Sequence, residues 1–460
     1  DQLCETFEGY TLDVENGYGD GIIEEGKTVH VWAEEREGMV FSHWSGDTER
    51  LESSIEYHTT LTMPAENVHI NANYSNLLPD MEFEALTIPG AERNKKIYTY
   101  FPTKDKIKGV VWLFHGTNGN AVAWVNEIEN RQLSNRLMAS DYGIVAITSE
   151  ESEFEIDFNN DGNFRWSYGV DSSLIDFANI RAVRDALLAG GKFNSNTPHT
   201  ALGFSAGGAF TEFVAVVLKW RAAVNHNAKG NLILSENSTV PYFHSISEND
   251  NHPDVGLAGN QEARDHYQNY LDRDACVNFE EFLQMPLFAE RFARSPLISK
   301  TLSAAIFNEI KTNNGLDEAD YIKGLYNDLE QVVLNNISNF PVIASLTGGQ
   351  RNHVKDQIQT TNAEHHFKSD FNGRTLEFIQ TVCNTTGTDD HFADTKESIQ
   401  ITPNPAMDFI TINAEGPIRI YDTAGRLRNE CNDSGQDIST YQPGLYIVKT
   451  NKGFGRFVKM

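Results

Sequence analysis

The rhythm of apolar and polar positions changes three times along the chain. Residues 9–75 alternate with period two, as in Tyr10-Thr11-Leu12-Asp13-Val14 and Val29-His30-Val31-Trp32-Ala33. Asn16-Gly17, Gly19-Asp20-Gly21 and Glu25-Gly26 break the alternation into short pieces, so this stretch predicts a small all-β unit. From 82 to about 385 uninterrupted apolar runs take turns with helical spacing. Val110-Val111-Trp112-Leu113-Phe114 and Ile144-Val145-Ala146-Ile147 predict strands covered on both faces of a parallel sheet. Leu174, Phe177, Ile180, Val183, Leu187 and Leu188 line one side of a helix over 174–189. Ala201-Leu202-Gly203-Phe204 predicts a strand leading into a helix over about 206–220. A strand over 240–247, a possible last strand over 356–363 and a helix near 374–382 complete an α/β pattern. Residues 277–338 predict a helical insertion rich in Phe and Leu, placed to lid a pocket. A small polar linker, 386–396, leads to a second all-β stretch over 397–460.

Composition narrows the partners. Acids outnumber bases 65 to 37, for a net charge of −28. Such a field repels phosphate backbones and anionic membrane surfaces, which argues against nucleic acid and leaves neutral substrates. No apolar run reaches the roughly 18 residues needed to span a bilayer. The first residue is Asp1, as expected after removal of a signal peptide or after trimming. The four cysteines, Cys4, Cys276, Cys383 and Cys431, form no CxxC pair, which excludes a zinc ribbon or thioredoxin-like motif. Cys276 and Cys383 fall in the same α/β unit, where a disulfide and two buried thiols are both open.

The candidate chemistry centres on Gly203-Phe204-Ser205-Ala206-Gly207. A serine hydroxyl needs a neighbouring base, and a sharp strand-to-helix turn with small flanks presents it to that base. His115-Gly116-Thr117-Asn118-Gly119 follows an earlier strand, and its glycines admit a close backbone approach. The backbone N–H groups of Thr117 and Ala206 are the expected oxyanion donors, with His115 structural. In the order Ser, acid, His, the acid follows a later strand. Asp250 is the first choice, ahead of Asp254 and Glu248. His365, in Ala363-Glu364-His365-His366-Phe367, is the expected base, with His366 and His353 as alternatives. Trp124, Phe204 and Trp166 are candidates to line an aryl or polyester site. No cofactor is required by this chemistry. Asp157, Asn159 and Asp161, followed by Gly162, have the spacing of a calcium loop, but position 12 is Tyr168, so weak structural calcium and an Asx-rich turn are both open.

Three resemblances rest on these residues. The first stretch, with Phe41-Ser42-His43-Trp44-Ser45-Gly46-Asp47 and Thr62-Met63-Pro64-Ala65, resembles the divergent internalin-type B-repeat, which implies adhesion or spacing. The tail resembles the C-terminal sorting domain of the Bacteroidetes type IX secretion system. Pro403-Asn404-Pro405-Ala406, Tyr421-Asp422 with Gly425, Gly444-Leu445-Tyr446 and the basic end Arg456 to Met460 carry that likeness. It implies handling by secretion machinery and a secreted or surface-attached product. The middle looks like the polyhydroxybutyrate depolymerase and feruloyl-esterase branch of the α/β hydrolases, through Leu113-Phe114-His115-Gly116, the serine pentapeptide and Pro241 to Asp250. It implies a serine esterase that forms an acyl-enzyme on an ester of the polyester or feruloyl class, polymeric esters included. The rival expectations are an adhesion protein with an inactive hydrolase core and a serine peptidase.

Overall fold

The apolar run at 109–114 becomes the middle of a sheet, with every residue buried. The computed structural model describes residues 9–325, 328–329, 337–382, 399–413, 416–422, 427–450 and 453–460. The central strands are β1 (Glu84–Pro89), β2 (Asn94–Tyr100), β3 (Gly109–Phe114), β4 (Tyr142–Ile147), β5 (His199–Phe204), β6 (Ala222–His226), β7 (Tyr242–Ser247) and β8 (Val277–Phe282). They form one 8-stranded sheet in the spatial order β8-β7-β6-β5-β3-β4-β2-β1. Strands β3 to β8 run parallel to one another. Strand β2 is antiparallel to both of its neighbours. Read from the β1 edge, with a crossover between β4 and β3, this order is that of the α/β-hydrolase fold.

The longer helices are α1 (Ile128–Ala139), α2 (Ile175–Ala189), α3 (Ala206–Leu218), α4 (Gly256–Leu271), α5 (Lys300–Thr312), α6 (Gly348–Thr361) and α7 (Asn372–Thr381). They cover both faces of the sheet, so each face has its own apolar cluster. On one face Phe210 of α3 stacks on Trp166 at 4.9 Å and on Phe177 of α2 at 5.2 Å. Phe114 of β3 meets the same ring edge-on at 5.4 Å.

Two expectations are corrected. Residues 277–282, read as the start of a helical insertion, are strand β8, hydrogen-bonded beside β7. Val277, Phe279 and Phe282 suit a strand, and the run satisfies the backbone edge of β7 that would otherwise stay open. Between β8 and α6 the described residues hold one long helix, α5, among short turns and loops. Residues 348–361, expected to end in a strand, are helix α6. Thr347 and Gln350 form a capping box there, and Val354 and Ile358 share its buried face.

The flanking units are all-β, as their alternation predicts. The first has a 4-stranded and a 3-stranded sheet. They close on a core that includes Leu12, Val31, Trp44 and Ile70. The tail likewise pairs a 3-stranded with a 4-stranded sheet over Ile410, Ile420 and Val448. The linker and Gly425 lie outside the described residues. Cys276 is disulfide-bonded, Cys431 is a free thiol, and Cys383 lies outside the described residues.

Helix α3 carries the serine turn and is anchored through Phe210. Phe210→Ala is expected to cost about 3–5 kcal/mol, because it empties a ring-sized space beneath the sheet. Urea unfolding followed by tryptophan fluorescence measures it.

Candidate active site

Ser205 sits between the end of β5 and the start of α3 with φ of 54° and ψ of −123°. This is a strained conformation for a residue with a side chain, and tight packing around the turn maintains it. A Cβ on Gly203 would stand 2.4 Å from the Gly207 carbonyl carbon, and one on Gly207 would stand 2.2 Å from the Phe114 carbonyl oxygen. Only glycine fits either position, which explains the pentapeptide. The hydroxyl therefore stands clear of the backbone at the C-terminal ends of the parallel strands.

His365 reaches it from the loop between α6 and α7. Its Nε2 lies 2.9 Å from Ser205 Oγ, and its Nδ1 lies 2.6 Å from Asp250 Oδ2. An ionised carboxylate accepts only, so Nδ1–H donates to Asp250 and Nε2 is left to accept from the serine. The other Asp250 oxygen accepts from the amides of His252 (3.0 Å) and Gly256 (3.1 Å). The acid loop is also tied to the histidine loop. Asn249 N–H donates to the Ala363 carbonyl at 2.9 Å, and the Asn251 amide donates to Glu364 at 2.8 Å.

The alternatives lie elsewhere. Asp254 pairs with Arg165 at 3.2 Å, and Glu248 accepts from the Gln284 amide. His353 faces the Phe292 carbonyl at 2.9 Å, and His366 points toward Asp356 at 3.8 Å.

The Gly116 loop approaches the serine closely, since a Cβ on Gly116 would be 3.2 Å from Ser205 Cβ. His115 shapes this loop. Its Nδ1–H donates to the Gly116 carbonyl at 2.7 Å, while Nε2 accepts from the Ser149 amide at 3.0 Å. Burial lowers its pKa to about 4, so it stays neutral. Thr117 and Ala206 line the same cavity as Ser205. Ala206 opens α3, where helix amides have no intrahelical acceptor.

That cavity measures about 160 Å³, and Tyr168, Ala209, Phe213 and Val255 contribute to its walls with Arg165 and Lys229. The aromatic expectations are corrected here. Trp124 is fully buried and packs edge-on against Phe367, 5.3 Å away. Trp166 is buried in the stack on Phe210 and donates to the His115 carbonyl at 2.9 Å. Phe204 lies against the His365 ring, 5.2 Å away, and supports it from beneath. None of the three is among the residues that line the cavity. The rings that do, Tyr168 and Phe213, are spaced as ordinary core residues, so period alone does not single them out. His252 was also missed. Its ring packs 4.5 Å from His365, and burial and then the neighbouring His365 lower its pKa. Its place two residues beyond Asp250 was the available signal.

The Asp157 loop folds on itself. Asp157 accepts from the Gly162 amide at 2.7 Å, Asn159 from the Asp161 amide at 3.1 Å, and Asp161 from the Asn163 amide at 2.9 Å. The Arg165 guanidinium also binds Asp161. These oxygens make an Asx-rich turn. Among the described residues no group of three or more His, Cys, Asp or Glu is arranged to hold a metal ion.

Behind His365 lies a buried charge cluster. Asp370 receives Arg291 in a fork of 2.6 and 2.9 Å, and Glu129 receives Arg294 at 2.9 Å. Burial would raise the Asp370 carboxyl, but the Arg291 and Arg294 guanidiniums outweigh it and hold it well below the carboxylate range.

Comparison with known proteins identifies segments at the two ends of the chain. Residues 10–77 match the family described as divergent InlB B-repeat domain. Residues 400–459 match the secretion system C-terminal sorting domain. The latter is a type IX sorting domain, which makes the protein a secreted or surface-attached one. No helix among the described residues is long and apolar enough to cross a membrane. No curated protein matches the chain in sequence. Among solved structures, a dienelactone hydrolase from Anabaena variabilis is 15% identical, covering 44% of this chain and 84% of its own, with a TM-score of 0.30. An esterase from Pyrococcus furiosus is 14% identical, covering 44% and 81%, with a TM-score of 0.31. A ferulic acid esterase is 12% identical, covering 44% and 88%, with a TM-score of 0.32. At these scores the likenesses carry no argument, and the fold rests on the strand order above.

The Asp370 shift has a consequence for acid stability. Its folded pKa lies below the ordinary 3.8, so its contribution is complete above about pH 4 and is lost as pH falls further. Asp370→Asn leaves Arg291 buried with only Glu129, 3.9 Å away, as counter-charge. The expected result is a loss of about 3–5 kcal/mol at pH 7 and a flatter acid limb below pH 4, read by urea unfolding across pH.

Proposed function

We propose that the protein is a secreted serine esterase that works through an acyl-enzyme. The observation that carries this reading is His365, within hydrogen-bond reach of both Ser205 and Asp250 beside an amide-lined turn. In the first step Ser205 Oγ attacks the ester carbonyl carbon and passes its proton to His365 Nε2. The carbonyl electrons move onto oxygen, where the N–H groups of Thr117 and Ala206 receive the charge. Asp250 keeps Nδ1–H in place and stabilises the imidazolium. Collapse expels the alcohol, which takes the proton from Nε2. Water then repeats the sequence on the acyl-enzyme and releases the acid.

The cavity suits an ester with a compact, largely apolar group on one side, held against Ala209, Phe213 and Val255. Aryl esters of the feruloyl type and short polyester units are the substrate classes we propose. Tyr168 supplies an aromatic wall, and its hydroxyl is engaged with the Ala206 carbonyl at 2.9 Å.

Hydrolysis of p-nitrophenyl butyrate by the full chain tests the reading. Ser205→Ala, His365→Ala and Asp250→Asn are each expected to lower kcat by about 10³-fold or more with the fold intact. An inert wild type, or a Ser205→Ala variant as fast as wild type, overturns it. Casein and peptide substrates should remain uncleaved, and a panel of feruloyl and polyester substrates ranks the ester classes.

A further inference from the structure

The segment that delivers His365 has little structure of its own. Residues 362–371 lie between α6 and α7, outside any strand ladder. Part of what fixes its far end comes from the N-terminal β unit. Glu56 of that unit is 1% exposed and accepts from the first amides of α7, Gly373 and Arg374, both at 2.7 Å. A carboxylate there satisfies orphan helix amides and sits at the positive end of the helix. The neighbouring carbonyl of Ile55 fits so closely that a Cβ on Gly373 would stand 2.2 Å from it. That carbonyl also receives Arg136 of α1 at 2.7 Å. Glu35 of the same unit binds Arg294 at 2.9 Å, and Arg294 in turn donates to Ser369 at 2.8 Å. The Tyr57 ring lies beneath the same guanidinium, 4.5 Å away.

An inert spacer or a free adhesion module has no reason to bury a carboxylate against another domain's helix. Burial pushes the Glu56 pKa up to about 7, and the Arg136 guanidinium and the α7 amides oppose that rise, so Glu56 needs α7 and α7 needs Glu56. We propose that the N-terminal unit is a working part of the hydrolase, with Glu56 a positioning residue that holds the His365 segment in register with Ser205. This rests on the esterase reading above for its effect on turnover, but the docking and its hold on the segment are separate physical statements. A shift of the imidazole by about 1 Å is enough to cost about 100-fold in rate, which makes the contact consequential.

The experiment uses the full chain with Glu56→Ala, Glu56→Gln and Gly373→Val, folded as judged by circular dichroism. Glu56→Gln keeps the volume and one acceptor, so it should fold even where Glu56→Ala does not. Amide hydrogen exchange, read by mass spectrometry, is expected to quicken at least about 10-fold over 363–374 in all three variants, least in Glu56→Gln. For p-nitrophenyl butyrate, kcat is expected to fall about 10- to 100-fold, with KM changed less than about 2-fold and partial recovery in Glu56→Gln. Unchanged exchange over 363–374 overturns the proposal. So does faster exchange with an unchanged kcat in an active enzyme, since a purely stabilising contact would lower Tm and leave turnover of the folded protein alone. If wild type itself does not turn over ester, the esterase reading fails, and the exchange result alone decides whether the unit holds the segment.

Discussion

Asp370 carries a charge where no water reaches it, and the surrounding architecture is arranged to make that tolerable. Arg291 meets it edge to edge, and Arg294 links it to Glu129 on α1, to Ser369 and to Glu35. These groups come from the first β unit, from α1, from the stretch after β8 and from the loop before α7. Once desolvated, such a cluster is a poor source of net stability but a strong selector of one arrangement, because any displaced member leaves a bare charge behind. The histidine loop is part of that arrangement, since Ser369 and Asp370 follow His365 by only a few residues.

The Ser205 site draws on elements of very different stiffness. The serine and the Gly116 loop rise from parallel strands buried on both faces, and Gly203 and Gly207 beside the serine are dictated by contacts under 3 Å. Asp250 lies three residues beyond β7 and is fastened by two amides. His365 alone comes from a segment without its own ladder, and it is fastened by polar contacts to its neighbours. The strained serine turn and the borrowed support of the histidine are two solutions to one problem. A reactive group must be held away from the core that stabilises everything else.

Much of this was legible in the residues. The pentapeptide with its small flanks, the apolar runs of β3 and β4, and the position of Asp250 just past a strand all carry local signals. Ala363 to Phe367 carried enough to bring His365 forward. The readings that failed were those where local spacing was ambiguous. Phe279 and Phe282 suit a helix as well as a strand, and only the open edge of β7 chose between them. Trp124, just past the Gly116 loop in sequence, and Trp166 are large rings, yet both serve the core, because the space around Ser205 is walled by other elements.

The sequence by itself determined three units, the type of each and the serine at the turn, because period and glycine placement act over a few residues. The union of His365 with Ser205, 160 positions apart, needed the sheet to bring them within 2.9 Å. The role of the first β unit was likewise invisible in its alternation. Glu56 reads as one more surface acid until α7, more than 300 residues later, presents the two amides that it caps. Contacts of that span depend on how whole elements pack, and only the tertiary structure decided them.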